Sequence, residues 1–261
     1  MNAIRGMYVI WLREIIRFYR EPTRIIGMIA QPLLYLILVG NGLSHGFALR
    51  TGGRDTDYLT FMFPGIVGMS VLFTSMFSAM SIVWDREFGF LKEVLVSAVP
   101  RSAIALGKAL GGSTIALAQG VILLLLAPLA HISLSFGRFW AVLGILALLA
   151  LTLNSLGLAI ASRMRSVQGF QVIMNFLIMP MFFLSGAIYP LKGMPAWLMD
   201  LMRIDPLTYG VDALRHVIYA SPLLVKEFTE FSMTTDLSVI VIIMLLLLSL
   251  ATFSFARTSE S

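Results

Sequence analysis

Residues 58–84 read YLTFMFPGIVGMSVLFTSMFSAMSIVW and run directly into DREFGFLKE at 85–93. A helix crosses the hydrocarbon core of a bilayer with about 20 apolar residues, so the first stretch belongs in lipid. The second belongs in water at the membrane surface, because acids and bases crowd it, with Phe88 and Leu91 among them. A span that ends in a dense amphipathic handle raises the question of what grips the handle.

The first half of that pattern recurs along the chain. Apolar residues make up 58% of the 261 positions and charged residues 13%, about half the charged share of a soluble domain. The chain reads as one polytopic membrane domain, residues 1–261, of all-α class. Six stretches are long enough to cross: 25–43, 58–84, 104–130, 139–161, 167–188 and 237–255. Pro32, Pro64, Pro128 and Pro180 mark kinks or ends, because each removes a backbone donor. There is no cysteine, which excludes disulfides, thiolate metal sites and cysteine nucleophiles. The net charge of +5 does not point to nucleic acid. The basic residues flank the spans, where cytoplasm and anionic membrane lipid are their natural surroundings.

Those basic residues also orient the chain. Arg5, Arg13, Arg17, Arg20 and Arg24 precede the first span, Arg86, Lys92 and Arg101 follow the second, Arg163 and Arg165 follow the fourth, and Arg257 follows the sixth. The positive-inside rule places both termini in the cytoplasm and the long connection 189–236 outside. Within residues 1–24, Ile4, Tyr8, Trp11, Ile15 and Phe18 share one helical face, while Arg13, Arg17, Arg20 and Arg24 share the other. That is the pattern of an interfacial helix, apolar side in the lipid boundary and cations toward phosphate and cytoplasm. Pro22 suits a break before the first span.

Between Asp85 and Pro100, Phe88, Leu91 and Leu95 recur at helical spacing, with Glu87, Lys92 and Glu93 on other faces. Such a segment fits a helix lying on the bilayer. It fits equally a helix docked in a groove of another subunit, apolar anchors inside and charges at the rim. The run Trp84-Asp85-Arg86-Glu87-Phe88-Gly89-Phe90-Leu91-Lys92-Glu93-Val94-Leu95, followed by Pro100-Arg101 and Gly107-Lys108, resembles the signature of the type-2 ABC exporter permeases. A second match is Pro195-Ala196-Trp197 followed by Asp205-Pro206-Leu207-Thr208-Tyr209-Gly210-Val211-Asp212-Ala213-Leu214-Arg215, similar to the family's external segment before the last span. Asp205 departs from the asparagine that many relatives carry.

The resemblance covers essentially the whole chain and implies a division of labour. Two permease copies, most simply a homodimer, would sit on two ATP-binding-cassette ATPase subunits in a bacterial inner or plasma membrane. Residues 85–101 would form a coupling helix seated in an ATPase cleft, with Glu87, Phe88, Leu91, Lys92, Glu93 and Leu95 making the contact. ATP and magnesium would be bound by the ATPase, and no cofactor by this chain. The chain's own residues agree on that last point: Gly107-Lys108-Ala109 lacks the first glycine and the Ser/Thr of a phosphate-cradling loop. The family also implies short re-entrant helices within 189–236 acting as an outer gate. Surface-lying helices anchored by Trp197 and Tyr209 fit the same stretch.

Within the spans the polar residues are few. Ser70 and Thr74 lie on one stripe of the second span, and Gln171 and Asn175 on one stripe of the fifth, beside Phe176, Phe182 and Phe183. An apolar wall with sparse polar contacts suits an amphipathic or hydrophobic substrate such as a drug, a lipid or a lipid-linked glycan. Helix–helix packing is the ordinary role of such serines. Asp212 and Arg215, three apart, are placed to pair. The three histidines, His45, His131 and His216, are scattered over outer connections, and no HExxH, Gly-x-Ser-x-Gly or in-span carboxylate pair occurs. No catalytic residue and no metal site is therefore expected. An ion-coupled carrier of hydrophobic compounds is the alternative to an ATP-driven permease; such carriers place ionisable groups inside their spans.

Overall fold

The computed structural model describes residues 3–40, 49–51, 54–56, 58–89 and 99–258, without the side chains of residues 24, 39–40, 49–51, 54–56 and 256–258. Among the described residues, five helical stretches are long and apolar enough to cross a membrane: Tyr58–Glu87, Arg101–Leu125, Phe136–Ala161, Val167–Leu184 and Met233–Phe255. A shorter apolar helix, Ile25–Leu38, occupies the expected first span.

The amino-terminal helix α1 (Ala3–Tyr19) ends three residues before Pro22, which opens α2 (Pro22–Leu34) at a position where its missing N–H costs nothing. Pro32 lies inside α2, and the chain passes from there into a π-helical turn, Tyr35–Gly40. A two-stranded antiparallel pair, β1 (Leu49–Thr51) and β2 (Arg54–Thr56), follows in the register Leu49↔Thr56. It is a small departure from the all-α reading.

The second span is two helices, α3 (Tyr58–Ser78) and α4 (Met80–Glu87). Pro64 is absorbed within α3, and the break comes instead at Ala79, whose N–H reaches back only three residues, to Met76. Nearly every residue of α3 is buried, as a helix that is apolar all round must be. α5 (Arg101–Leu125), a 3-10 turn at Ala127–Ala130 that contains Pro128, α6 (Phe136–Ala161) and α7 (Val167–Leu184) surround it. Three short helices follow: α8 (Ala196–Met202), α9 (Pro206–Ile218) and α10 (Pro222–Phe228). The chain closes with α11 (Met233–Thr258), laid along α6.

Two buried amides repair the helix breaks. Pro32 leaves the Met28 carbonyl without its helical donor, and Gln119 of α5 supplies one through Nε2 at 2.9 Å. The break at Ala79 frees the Ser75 carbonyl, and Asn154 of α6 donates to it at 2.9 Å. In lipid such freed groups must be satisfied from neighbouring helices, so these amides hold the fold together.

Glycines set two close approaches. A Cβ at Gly107 would lie 2.7 Å from the Met7 carbonyl, and one at Gly111 2.8 Å from the Glu14 side chain, so α1 rides in a groove cut by the Gly-x-x-x-Gly of α5. At Gly65 a Cβ would collide with the Ala187 backbone, which lets the turn after α7 reach the core. Of the segments expected to dip into the membrane, α9 is buried along almost its whole length, whereas α8 lies half-exposed with Trp197 at the surface.

Candidate functional site

α4 carries Asp85-Arg86-Glu87 as its last turn, closed by Gly89 at φ 79°. Each of the three side chains binds a different part of the bundle. Asp85, buried, takes Lys108 Nζ of α5 at 2.6 Å on Oδ2 and Arg13 Nη2 of α1 at 2.8 Å on both oxygens. Lys108 also donates to Glu14 of α1 at 2.9 Å and to Ser81 at 3.1 Å. Arg86 donates to the Ser162 carbonyl at 2.8 Å and to the Met164 carbonyl, just past the end of α6. Glu87 accepts the Val167 N–H at 2.8 Å, at the start of α7.

The signs of these charges match what they meet. A cation belongs at the carbonyl end of a helix and an anion at the N–H end, and Arg86 and Glu87 meet those ends of α6 and α7 in that order. Asp85 meets the cations that α1 and α5 bring, Arg13 and Arg17 from the first and Lys108 from the second. The tripeptide is thus a hub tying α1, α5, α6 and α7 to the root of the segment that leaves at Phe88, whose ring is exposed.

The expected roles divide accordingly. Glu87 and Phe88 lie in the described residues, Glu87 turned toward α7 and Phe88 outward; Leu91, Lys92, Glu93 and Leu95 lie outside them. The amino-terminal arginines do not form a purely outward cationic face. Arg13 is bound to Asp85, and Arg17 lies 4.8 Å over the Trp84 ring and 3.7 Å from both Asp85 and Glu21. Arg20 is exposed, and Arg24 sits on α2 with its side chain outside the description. The face of α1 that is buried is Gly6, Ile10 and Glu14, while Ile4 and Tyr8 remain open to the surroundings. Sequence reasoning gave Glu14 no role and met Lys108 only as part of the family resemblance. Their signal was a lone acid among the arginines of α1 and a lysine, after Gly107, inside an otherwise apolar span.

Ser70 and Thr74 come together at a cavity of about 320 Å³ between α2, its π-helical turn and α3. Met28, Gln31, Pro32, Tyr35 and Gln119 complete much of its wall. Thr74 donates to Gln119, and Ser70 to its own helix at Ile66. Gln171, Asn175 and Phe176 are elsewhere, on an exposed face of α7, while Phe182 is packed in the core. That face differs in kind from the open face of α11. α11 shows Ile242, Leu245, Leu246, Leu250 and Phe253, all apolar; α7 shows amides at Gln168, Gln171 and Asn175 among Val172 and Phe176.

A second charged cluster lies at the other end of α3–α4, on the order of 36 Å from Asp85 at 1.5 Å per helical residue. Arg215 of α9 is fully buried, donates to the carbonyls of Gly186 at 2.6 Å and Phe228 at 3.3 Å, and lies 4.6 Å over the Phe61 ring. Asp212 accepts the N–H groups of Glu230 and Phe231 at 2.9–3.2 Å. Each binds backbone, and no ion pair joins them. Asp205 caps α9 through Leu207 N–H at 2.9 Å, and burial pushes its carboxyl up to about 8.

A helical bundle with five membrane-length helices and a charge hub at the root of an amphipathic connection defines a polytopic membrane protein. Residues 5–219 match the ABC-2 type transporter family model, and the chain belongs to that family of transport permeases. It is 29% identical to ycf38 of Cyanophora paradoxa over 96% of this chain and 88% of that protein. It is 28% identical to nodulation protein J of Rhizobium meliloti (strain 1021) over 82% and 81%. With the inner membrane transport permease YadH of Escherichia coli (strain K12) the identity is 27%, over 79% and 80%.

Proposed function

We propose that the chain is the permease subunit of an ATP-driven exporter of amphipathic or hydrophobic compounds, powered by a separate ATP-binding-cassette ATPase. The observation that carries this reading is the Asp85-Arg86-Glu87 hub. A push on residues 88–101 from a partner reaches the ends of α1, α5, α6 and α7 together, because one turn of helix holds all four. Residues 85–101 are the coupling segment, with Leu91, Lys92, Glu93 and Leu95 meeting the ATPase. Residues 1–24 form an interfacial segment, and both termini are cytoplasmic. α2 and the π-helical turn Tyr35–Gly40 together form the first of six spans, and 189–236 form the outer segment.

The amide-bearing face of α7 supports pairing of two copies. Amides facing lipid lack partners, so that face is covered by the second copy or borders a wet pathway. The cavity at Ser70 and Thr74, with apolar walls and few polar contacts, supports an amphipathic substrate. The buried Lys108–Glu14–Asp85 cluster is what an ion-coupled carrier would also show. Lys108 gives its three donors to Glu14, Ser81 and Asp85, which favours the structural role.

The test uses the chain reconstituted with its ATPase in vesicles. Glu87→Ala should leave ATP hydrolysis near wild type and lower export of a fluorescent amphipathic lipid per ATP by roughly tenfold, the reach of a coupling change of 1–3 kcal/mol. Undiminished export per ATP in Glu87→Ala and in a Leu91→Asp/Glu93→Lys chain would remove the coupling reading.

A further inference from the structure

Asp212 and His216 are one turn apart on α9, and Asp236 stands in the first turn of α11. One ligand atom from each lies within 4.8 Å of the other two. The two carboxylates are fully buried and the imidazole partly so. His216 Nε2 is 2.9 Å from the Phe231 carbonyl and 3.8 Å from Asp236 Oδ2, too far for a hydrogen bond to the latter.

Asp236 is the odd member. Neither of its oxygens has a hydrogen-bond partner, although the residue is completely enclosed. A buried carboxylate needs a compensating charge or donors. The neighbouring cation does not serve: Arg215 gives Nη1 and Nη2 to the Phe228 and Gly186 carbonyls, and although its Nε is unpartnered, it forms no ion pair with Asp236. Asp212 has three of its acceptor positions filled by backbone N–H groups, two on Oδ2 and one on Oδ1, which leaves Oδ1 the freer oxygen.

We propose that Asp212, His216 and Asp236 hold a divalent cation of the zinc class. One imidazole nitrogen and two carboxylates are a donor set such an ion takes, with the Phe231 carbonyl or a water in the fourth position. Zinc bonds of about 2.0–2.1 Å place tetrahedral ligands about 3.4 Å apart, so the three atoms close by up to about 1.4 Å as the ion enters. The ion neutralises Asp236 and pins α11 to α9 and to the 229–232 turn. This departs from the expectation of no metal site. The sequence places two ligands one helical turn apart, and only the fold brings the third. The inference does not depend on the transport reading.

The experiment uses full-length chain without a histidine tag, stripped with EDTA in detergent. Zn²⁺, Mn²⁺ and Ca²⁺ are then added in parallel, and bound metal and the thermal midpoint are measured. One Zn²⁺ per chain should bind, and the midpoint should rise by about 5 °C or more at a hundredfold excess over the dissociation constant. His216→Gln and Asp236→Asn should each weaken zinc binding by roughly tenfold or more and abolish the shift. Metal-free Asp236→Asn should melt at or above the wild type, because it lacks the unmatched carboxylate, so lost binding there is not lost folding. Absent zinc binding, a preference for Ca²⁺, or wild-type zinc binding in both variants would overturn the site.

Discussion

Replacing Lys108 by methionine probes the hub where it is driest. The Lys108 side chain is 3% exposed, and those of Glu14 and Asp85 are 5% each. With 2.9 and 2.6 Å contacts and an effective dielectric near 20, each pair attracts by about 6 kcal/mol before desolvation is counted. Methionine fills the same space but leaves Glu14 buried without its ion-pair partner, while Asp85 keeps Arg13 and Arg17. Removing one member of such a buried pair costs about 3–5 kcal/mol. For a chain of this size that is a drop in thermal midpoint on the order of 10 °C. Adding Glu14→Gln to Lys108→Met should recover about 2 kcal/mol or more, because a neutral amide no longer sits as an unmatched charge. The melts are followed in detergent by the fluorescence of Trp11 and Trp84, which border the hub. A Lys108→Met midpoint equal to wild type, or a double variant no better than the single, would refute the reasoning.

Further outcomes follow from other contacts. Gln119→Leu and Asn154→Leu each orphan a backbone carbonyl and should lower stability by about 1–3 kcal/mol in the same melt. Gly111→Leu should displace α1 at a cost of about 1–3 kcal/mol and raise protease sensitivity of residues 3–19, whereas Gly137→Leu, where a Cβ meets nothing, should not. The fold holds Asp205 protonated to about pH 8, while the unfolded chain ionises near 3.8, so Asp205 should make stability fall as pH rises from about 4 to 8. Asp205→Asn keeps the cap and should flatten that fall by a few kcal/mol, read from midpoints across the window. Gln171→Ala and Asn175→Ala should alter substrate stimulation of ATP hydrolysis in the reconstituted complex; unchanged stimulation and export would remove them from the pathway.

What the sequence made legible was length and sign. Uninterrupted apolar runs located the membrane helices from Tyr58 to Phe255, and Pro22 and Pro128 marked real ends, because both effects are local. Pro64 and Pro180 produced no break, since neighbouring packing carries the helix past them, while Ala79, with nothing in its side chain to announce it, hosts one that Asn154 repairs. The hub was half visible. Asp85, Arg86 and Glu87 stood out, but their partners lie 23 to 80 positions away along the chain and follow only from how α1, α5, α6 and α7 converge. The bed that Gly107 and Gly111 make for α1 was not legible, because it depends on where α1 crosses α5. The amides of α7 were legible as one stripe, and the fold adds that this stripe lies on the exposed face of the helix.

The central claim is that this subunit moves cargo only when a nucleotide-hydrolysing partner works on the segment rooted at Asp85-Arg86-Glu87. The most direct measurement is uphill movement of a fluorescent amphipathic lipid in sealed vesicles holding the chain with or without the ATPase. Accumulation that requires both the ATPase and ATP, and that persists when ion gradients are collapsed, is the predicted result. Accumulation by the chain alone, driven by a proton or sodium gradient, would contradict it.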